Sequence, residues 1–363
     1  MTIPGLTPWL QDRARLAALI GLGAAAVLLL WALVLPAGPP GAGWLVGLTF
    51  WLSVALGALT LLAIHALTGG EWGLTLRPAI EPAAASLPVF LPLALPLFLV
   101  LPAVYPWASD PSAAVHPDVA SLYLNPKGFI LRAFFALTGW SITGLLLLTL
   151  RRAGLRVLVG AVGLVFHFAA TTLLSLDWLL SLDPHFQSTA FGMAALTTQL
   201  LAGLAWSAML RPEPAGAEGQ GRSGDLAALM LAATLGVLYL NFSQYLVAWY
   251  GDLPPKAEWF LRRQGWGWGS LQAASVLLSG LLPFGALLLA RVRRSPAALA
   301  RLGPLVMAGL LAHLAWIVAP AFGPAAVLAA LLGFLAVGGL WIGLVFGPLA
   351  AFMAPLGRVV HGR

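Results

Sequence analysis

Three of the six histidines lie in or beside long apolar runs, where an imidazole can ligate a metal, carry a proton or hold a hydrogen bond. His167 falls near the middle of one run and His313 near the middle of another, whereas His65 stands at the end of a third. Two axial ligands for a b-type haem must meet at one depth on facing helices, a condition open to His167 with His313 but not to His65 with either. The same pair could relay protons, and a neutral imidazole bonded to Thr171, Thr172 or Ser175 is the purely structural alternative. Asn241, Gln244 and Tyr245 follow the i, i+3, i+4 spacing that places them on one helical face. Amides so placed either tie helices together or form a polar wall for a quinone head group, whose two carbonyls need donors in an apolar pocket. The segment DWLLSLDPH, residues 177–185, gathers Asp177, Asp183 and His185. Asp183 before Pro184 has the form of an N-cap with Pro at the first helical position; Asp177 and His185 lack that assignment and could accept protons. Glu71 and His65 share a second polar turn, HALTGGEWG, residues 65–73.

The elements that carry these groups follow from composition. Of 363 residues, 60% are hydrophobic and 9% charged, with a mean hydropathy of +0.93. A soluble domain has about a quarter of its residues charged, so a soluble protein is excluded and an all-α, polytopic membrane protein is expected. Runs of about 20 apolar residues, enough to cross about 30 Å of hydrocarbon, fall near 15–36, 43–66, 84–103, 129–150, 156–176, 189–210, 226–249, 269–290, 302–320 and 325–350. Fourteen of the 19 basic residues then lie on one side, counting Arg13 and Arg15 with the even-numbered exits. The positive-inside rule makes that side cytoplasmic and puts both termini there. The first run, from Arg15 to Leu35, exceeds the 7–15 residues or so of a signal h-region, so a retained helix is expected. The third run carries Pro88, Pro92 and Pro96, which should break or loosen it and oblige its neighbours to satisfy the freed carbonyls.

The Gly-rich stretch from Pro214 to Gly224 reads as a flexible linker. It separates an N-terminal half, 1–210, from a C-terminal half, 226–363, across a linker at 211–225. Spans two to five and six to nine would form two bundles related as a parallel repeat, making His167 and His313 counterparts. The outer loops are rich in Trp and Tyr, as an interfacial belt requires. Cysteine is absent, which removes thiolate-held clusters, disulfides and covalent c-type haem from this chain. The basic residues are dispersed, so nucleic acid is not an expected partner, and there is no support for nucleotide hydrolysis, zinc proteolysis or serine hydrolysis.

The turn at residues 65–73, the segment DWLLSLDPHFQSTAFG at 177–192, and above all FSQYLVAWYGDLPPKAEWFLRRQGWGW at 242–268, followed by Pro320-Ala321-Phe322, resemble the ActF-type membrane subunit of bacterial alternative complex III. The resemblance runs from about residue 43 to 322 and extends to NrfD-type polysulfide-reductase membrane subunits. It implies two four-helix bundles with one further helix at each end. It also implies a cofactor-free, multi-pass subunit of the bacterial cytoplasmic membrane, within a quinol:electron-acceptor oxidoreductase. The implied partners are a sister NrfD-like quinol-binding subunit, a multihaem cytochrome c, an iron–sulfur subunit and a terminal oxidase; haem c and iron–sulfur clusters belong to those partners. In place of the Asp expected in the ninth helix the chain has His313. The expected roles are proton relay for His65, Glu71, His167, Asp177, Asp183, His185 and His313, and a quinone-facing wall for Asn241, Gln244 and Tyr245. No metal site is expected. A secondary transporter, suggested by the Pro-rich third helix, and a structural anchor for a redox complex are the alternatives.

Overall fold

The computed structural model describes residues 8–114, 117–210, 217–251 and 254–347. Among them are ten helices long and apolar enough to span a membrane, and no strand. In order they are Asp12–Val34, Gly38–Thr68, Glu71–Leu99, Pro126–Thr149, Ala153–Leu182, Phe191–Leu210, Ser223–Tyr250, Trp266–Leu288, Pro296–Ala321 and Ala325–Val345. This is an all-α multi-pass membrane protein. The segments flanking Asp177 and Trp259 mark one end, here the aromatic end; His65 and Arg77 mark the other, the arginine end.

The second span is the axle, with 89% of its most apolar window buried. Spans two to five pack on one another, and spans six to nine on one another, the groups being joined where the second span crosses the sixth. That crossing needs glycine: a Cβ on Gly203 would lie 2.7 Å from the Gly57 carbonyl carbon. In lipid, close backbone approach supplies the dispersion contact that apolar burial supplies in water, so small residues collect at such crossings. The first and tenth spans pair with each other and lie together against the second. There Gly43 and Gly47 face Gly333, and Gly21 faces Gly339, each without room for a Cβ. Trp51, Trp206 and Trp341, from the second, sixth and tenth spans, meet with ring centroids 5.2–5.9 Å apart and close the centre.

Two expectations need correction. The third span does not start at 84 but at Glu71, because Pro78 and Pro82 are accommodated within the helix Glu71–Ala85. The chain then tightens into a 3₁₀ turn, Leu87–Val89, before Phe90–Leu99. Each proline removes one backbone donor, and side chains around the break add hydrogen bonds of their own. Ser86 Oγ donates to Ala83 O (2.6 Å) and accepts from Trp341 Nε1 (2.7 Å), while Trp44 Nε1 donates to Leu93 O (2.8 Å). The second correction concerns the linker. Residues 217–225 are the first turns of the helix Ala217–Tyr250, and 211–216 lie outside the described residues.

Gly47→Leu and Gly333→Leu should each lower stability by about 1–3 kcal/mol or more through overpacking. Gly23→Leu, at a glycine with nothing within 4 Å of its added Cβ, should leave it unchanged. Thermal unfolding of the detergent-solubilised variants checks both outcomes.

Candidate functional site

His167 lies in the fifth span and is 3% exposed. Its ring meets the edge of Trp140 at 5.9 Å, and its Nδ1 is 3.4 Å from Thr171 Oγ1, one turn along the same face. Thr171 Oγ1 in turn donates to Gln199 Oε1 of the sixth span (3.3 Å). His167 Nε2 is buried without a hydrogen-bond partner. Thr171 and Gln199, with Thr49, Ser53, Ser175 and Thr198, border a small cavity of about 60 Å³ whose other wall includes Asn241 and His313. That volume holds a few waters and is far below what a porphyrin needs, so the reading of His167 and His313 as axial haem ligands is not accommodated.

His313 and Asn241 also line a second cavity, of about 550 Å³, between the seventh, eighth and ninth spans. Its wall is largely apolar and aromatic, with polar groups from Asn241, Gln244, Tyr245, Gln272, Ser275 and Ser279. The three residues predicted to share a face do so here. Asn241 Nδ2 donates to Val237 O (2.9 Å) within its own helix, and Gln244 Oε1 accepts from Ser188 Oγ (2.7 Å). Part of the helix-tying role thus belongs to Gln244, while Asn241 keeps its place in both cavity walls. Towards the aromatic end, Phe186 stacks on Trp259 (4.3 Å), Trp259 meets Trp316 edge-on (5.3 Å), and Trp316 stacks against His313 (6.1 Å). This train of rings holds the His313 imidazole, which forms no hydrogen bond among the described residues, at the junction of the two cavities.

The aromatic-end carboxylates are placed differently from the sequence expectation. Asp177, whose side chain is fully buried, is held by Arg132 through Nε to Oδ2 (2.7 Å) and Nη2 to Oδ1 (3.1 Å). It therefore has the structural assignment that the sequence seemed to deny it. The Arg132 guanidinium also lies over the Tyr123 ring at 4.0 Å and donates to Tyr123 O. Asp183 does not cap the sixth span, which begins at Phe191; it follows the 3₁₀ turn Leu180–Leu182 and pairs with Arg262 Nη2 (3.1 Å). That ion pair ties the turn after the fifth span to the segment before the eighth. Beside it Arg263 is 4% exposed, lies 3.6 Å over Trp259 and donates to Trp259 O and Ile317 O (both 3.0 Å). Burial pushes its pKa down to about 9, with the Asp183 carboxylate opposing, so the group stays charged at neutral pH. His185 is exposed at the surface.

At the arginine end His65, 9% exposed, sets Nε2 3.0 Å from Gly70 O and meets Trp72 edge-on at 5.5 Å. The HALTGGEWG turn is explained by this packing. Gly69 and Gly70 adopt φ of 66° and 95°, which favour glycine, and Gly73 leaves room for the imidazole directly above it. Glu71 is exposed at the start of the third span, and neither cavity includes His65 or Glu71 in its wall. The structure thus brings together His167 and His313 through Thr171, Gln199 and the small cavity, and Asn241, Gln244 and Tyr245 around the large one. It does not bring the two ends into that assembly.

Sequence reasoning missed Arg132, Gln199, Gln272 and Arg263. Gln272, Ser275 and Ser279 do carry a legible i, i+3, i+7 spacing. Gln199 was visible as an amide at mid-span, but its partner Thr171 is fixed only by how the fifth and sixth spans meet. No protein-family model matches the chain, and no curated protein matches it.

Arg132→Ala leaves the Asp177 charge buried and unpaired, and should cost about 3–5 kcal/mol. Adding Asp177→Asn should recover much of that loss in a double-mutant cycle followed by thermal unfolding.

Proposed function

We propose that the chain is the cofactor-free membrane subunit of a bacterial quinol:electron-acceptor oxidoreductase of the alternative complex III type, and that its own part is quinol handling and proton conduction. The observation that supports this reading is the pair of cavities sharing His313 and Asn241. A large apolar space with an amide and imidazole wall suits a small amphiphilic ring, and a polar pocket behind it suits proton transfer. In this reading Asn241, Gln244 and Gln272 orient the ring oxygens by hydrogen bonding. His313 takes a proton at a ring nitrogen. Gln199, Thr171 and His167 continue the polar route into the first bundle.

The proposed setting is the cytoplasmic membrane, beside a sister NrfD-like quinol-binding subunit, a multihaem cytochrome c and an iron–sulfur subunit, with electrons passing onward to a terminal oxidase. The ion pairs of Asp177 and Asp183 anchor the aromatic-end segments that such partners would cover. The absence of cysteine suits a chain that leaves thiolate-bound centres to its partners.

Affinity purification of the tagged chain from its native membranes should bring down haem- and iron–sulfur-bearing subunits; a lone monomer that catalyses solute uptake would replace this reading with a transporter. In the assembled complex, His313→Leu should lower quinol turnover by about 10²-fold, the lower range for loss of an acid–base group. His167→Leu should reduce protons moved per electron. Unchanged turnover and unchanged stoichiometry in both variants would remove the relay.

A further inference from the structure

We infer that the large cavity is loaded sideways from the hydrocarbon, through a gap between the aromatic-end halves of the seventh and eighth spans, by a lipid-soluble quinone or quinol whose ring enters while its tail stays in the bilayer. This deepens the quinone-site reading above and rests on it.

The gap has three structural causes. First, six residues of the cavity wall are also exposed on the flank of the molecule: Leu235 (46%), Tyr239 (68%), Phe242 (60%), Tyr245 (41%), Val276 (39%) and Leu281 (50%). In a membrane-spanning bundle an apolar flank faces acyl chains, so the cavity wall and the lipid surface are continuous here. Second, the seventh and eighth spans touch closely at Leu238 and Gly280 and remain packed along Leu282–Leu288, but separate beside Trp266–Ser275. They are closed towards the arginine end and parted towards the aromatic end. Third, the eighth span widens into π-helical turns at Val276–Leu281, where the separation begins. A π segment inserts an extra residue per turn and recurs at functional sites. Its backbone is pinned to the ninth span, since a Cβ on Gly309 would lie 2.7 Å from the Ser279 Cβ. The widened turn is therefore fixed on the ninth-span side; towards the seventh span it rests on Leu238 at Gly280, while Ser275, Val276 and Ser279 border the cavity.

The lining selects the occupant. An acyl chain alone has no use for Gln244, Gln272 and His313, and an ion or sugar has no access across an apolar flank. A ring with two opposed oxygens and a hydrocarbon tail satisfies both conditions. The cavity, about 550 Å³, is in the range that holds small ligands. Gln244 is held by Ser188, and His313 by its stack on Trp316, so two of the contacts are pre-set before a ligand arrives.

The test uses the assembly as purified from its own membranes, reconstituted in lipid nanodiscs, with a decyl-substituted benzoquinone as probe and quenching of tryptophan fluorescence as readout. Gln272→Leu should weaken binding about tenfold or more. Leu235→Phe with Val276→Phe, both at the lipid surface and so tolerated by the fold, should slow association about tenfold. Leu331→Phe, on the exposed flank of the tenth span, should do neither. Wild-type association rates in the Leu235/Val276 variant, or displacement of the probe by added phosphatidylglycerol as readily as by unlabelled quinone, would overturn the proposal, the latter assigning the cavity to an acyl chain. Probe binding by a chain that purifies without redox partners would uphold this site and sink the respiratory-complex reading; redox partners with no effect of the gap variants would do the reverse.

Discussion

Hydrocarbon offers no hydrogen bonds, and each polar group placed at its depth must find a partner within the protein or border a polar cavity. Much of the structure follows from that requirement. At the break in the Pro-rich third span Ser86 bonds Ala83 O and Trp341, and Trp44 bonds Leu93 O. Asp177 is buried only because Arg132 grips both of its oxygens. Arg263 is buried because two carbonyls and the face of Trp259 surround its charge. His313, with no hydrogen bond among the described residues, instead borders two cavities.

The same solvent changes what holds helices together. Apolar burial gains little where the surroundings are equally apolar, so the centre depends on backbone approach at glycine and on tryptophan rings that fill the remaining space. The second span meets the tenth through Gly43, Gly47 and Gly333, and the sixth through Gly57 and Gly203. Trp51, Trp206 and Trp341 meet near these contacts and couple the two bundles to the terminal pair. The meeting of the fifth and sixth spans brings Gln199 to Thr171, and the second, seventh and ninth spans complete the wall of the small cavity.

An ion pair and a train of ring contacts link the aromatic-end segments to the core. Asp183 with Arg262 joins the turn after the fifth span to the segment before the eighth. Phe186, Trp259 and Trp316 carry that constraint inward to His313. From the two sides of this junction Phe242, Gln244, Tyr245, Trp259 and Phe260 contribute to the wall of the large cavity.

Composition and run length alone determined that the chain crosses a membrane about ten times as helices, because the cost of an unpaired backbone in lipid leaves no other arrangement. The shared face of Asn241, Gln244 and Tyr245 was likewise legible, since helical period is local. The start of the third span was not, because proline weighs against a helix interior in any local reading, yet Pro78 and Pro82 are accommodated within Glu71–Ala85. Nor were the partners of Asp177 and Asp183, which lie 45 residues away at Arg132 and in a separate segment at Arg262. Only the tertiary structure decided that His167 meets Thr171, and Thr171 Gln199, beside a small cavity that His313 also borders, since that depends on which faces of the fifth, sixth and ninth spans turn inward, and the near-uniform hydrophobicity of a membrane helix leaves its rotation to packing.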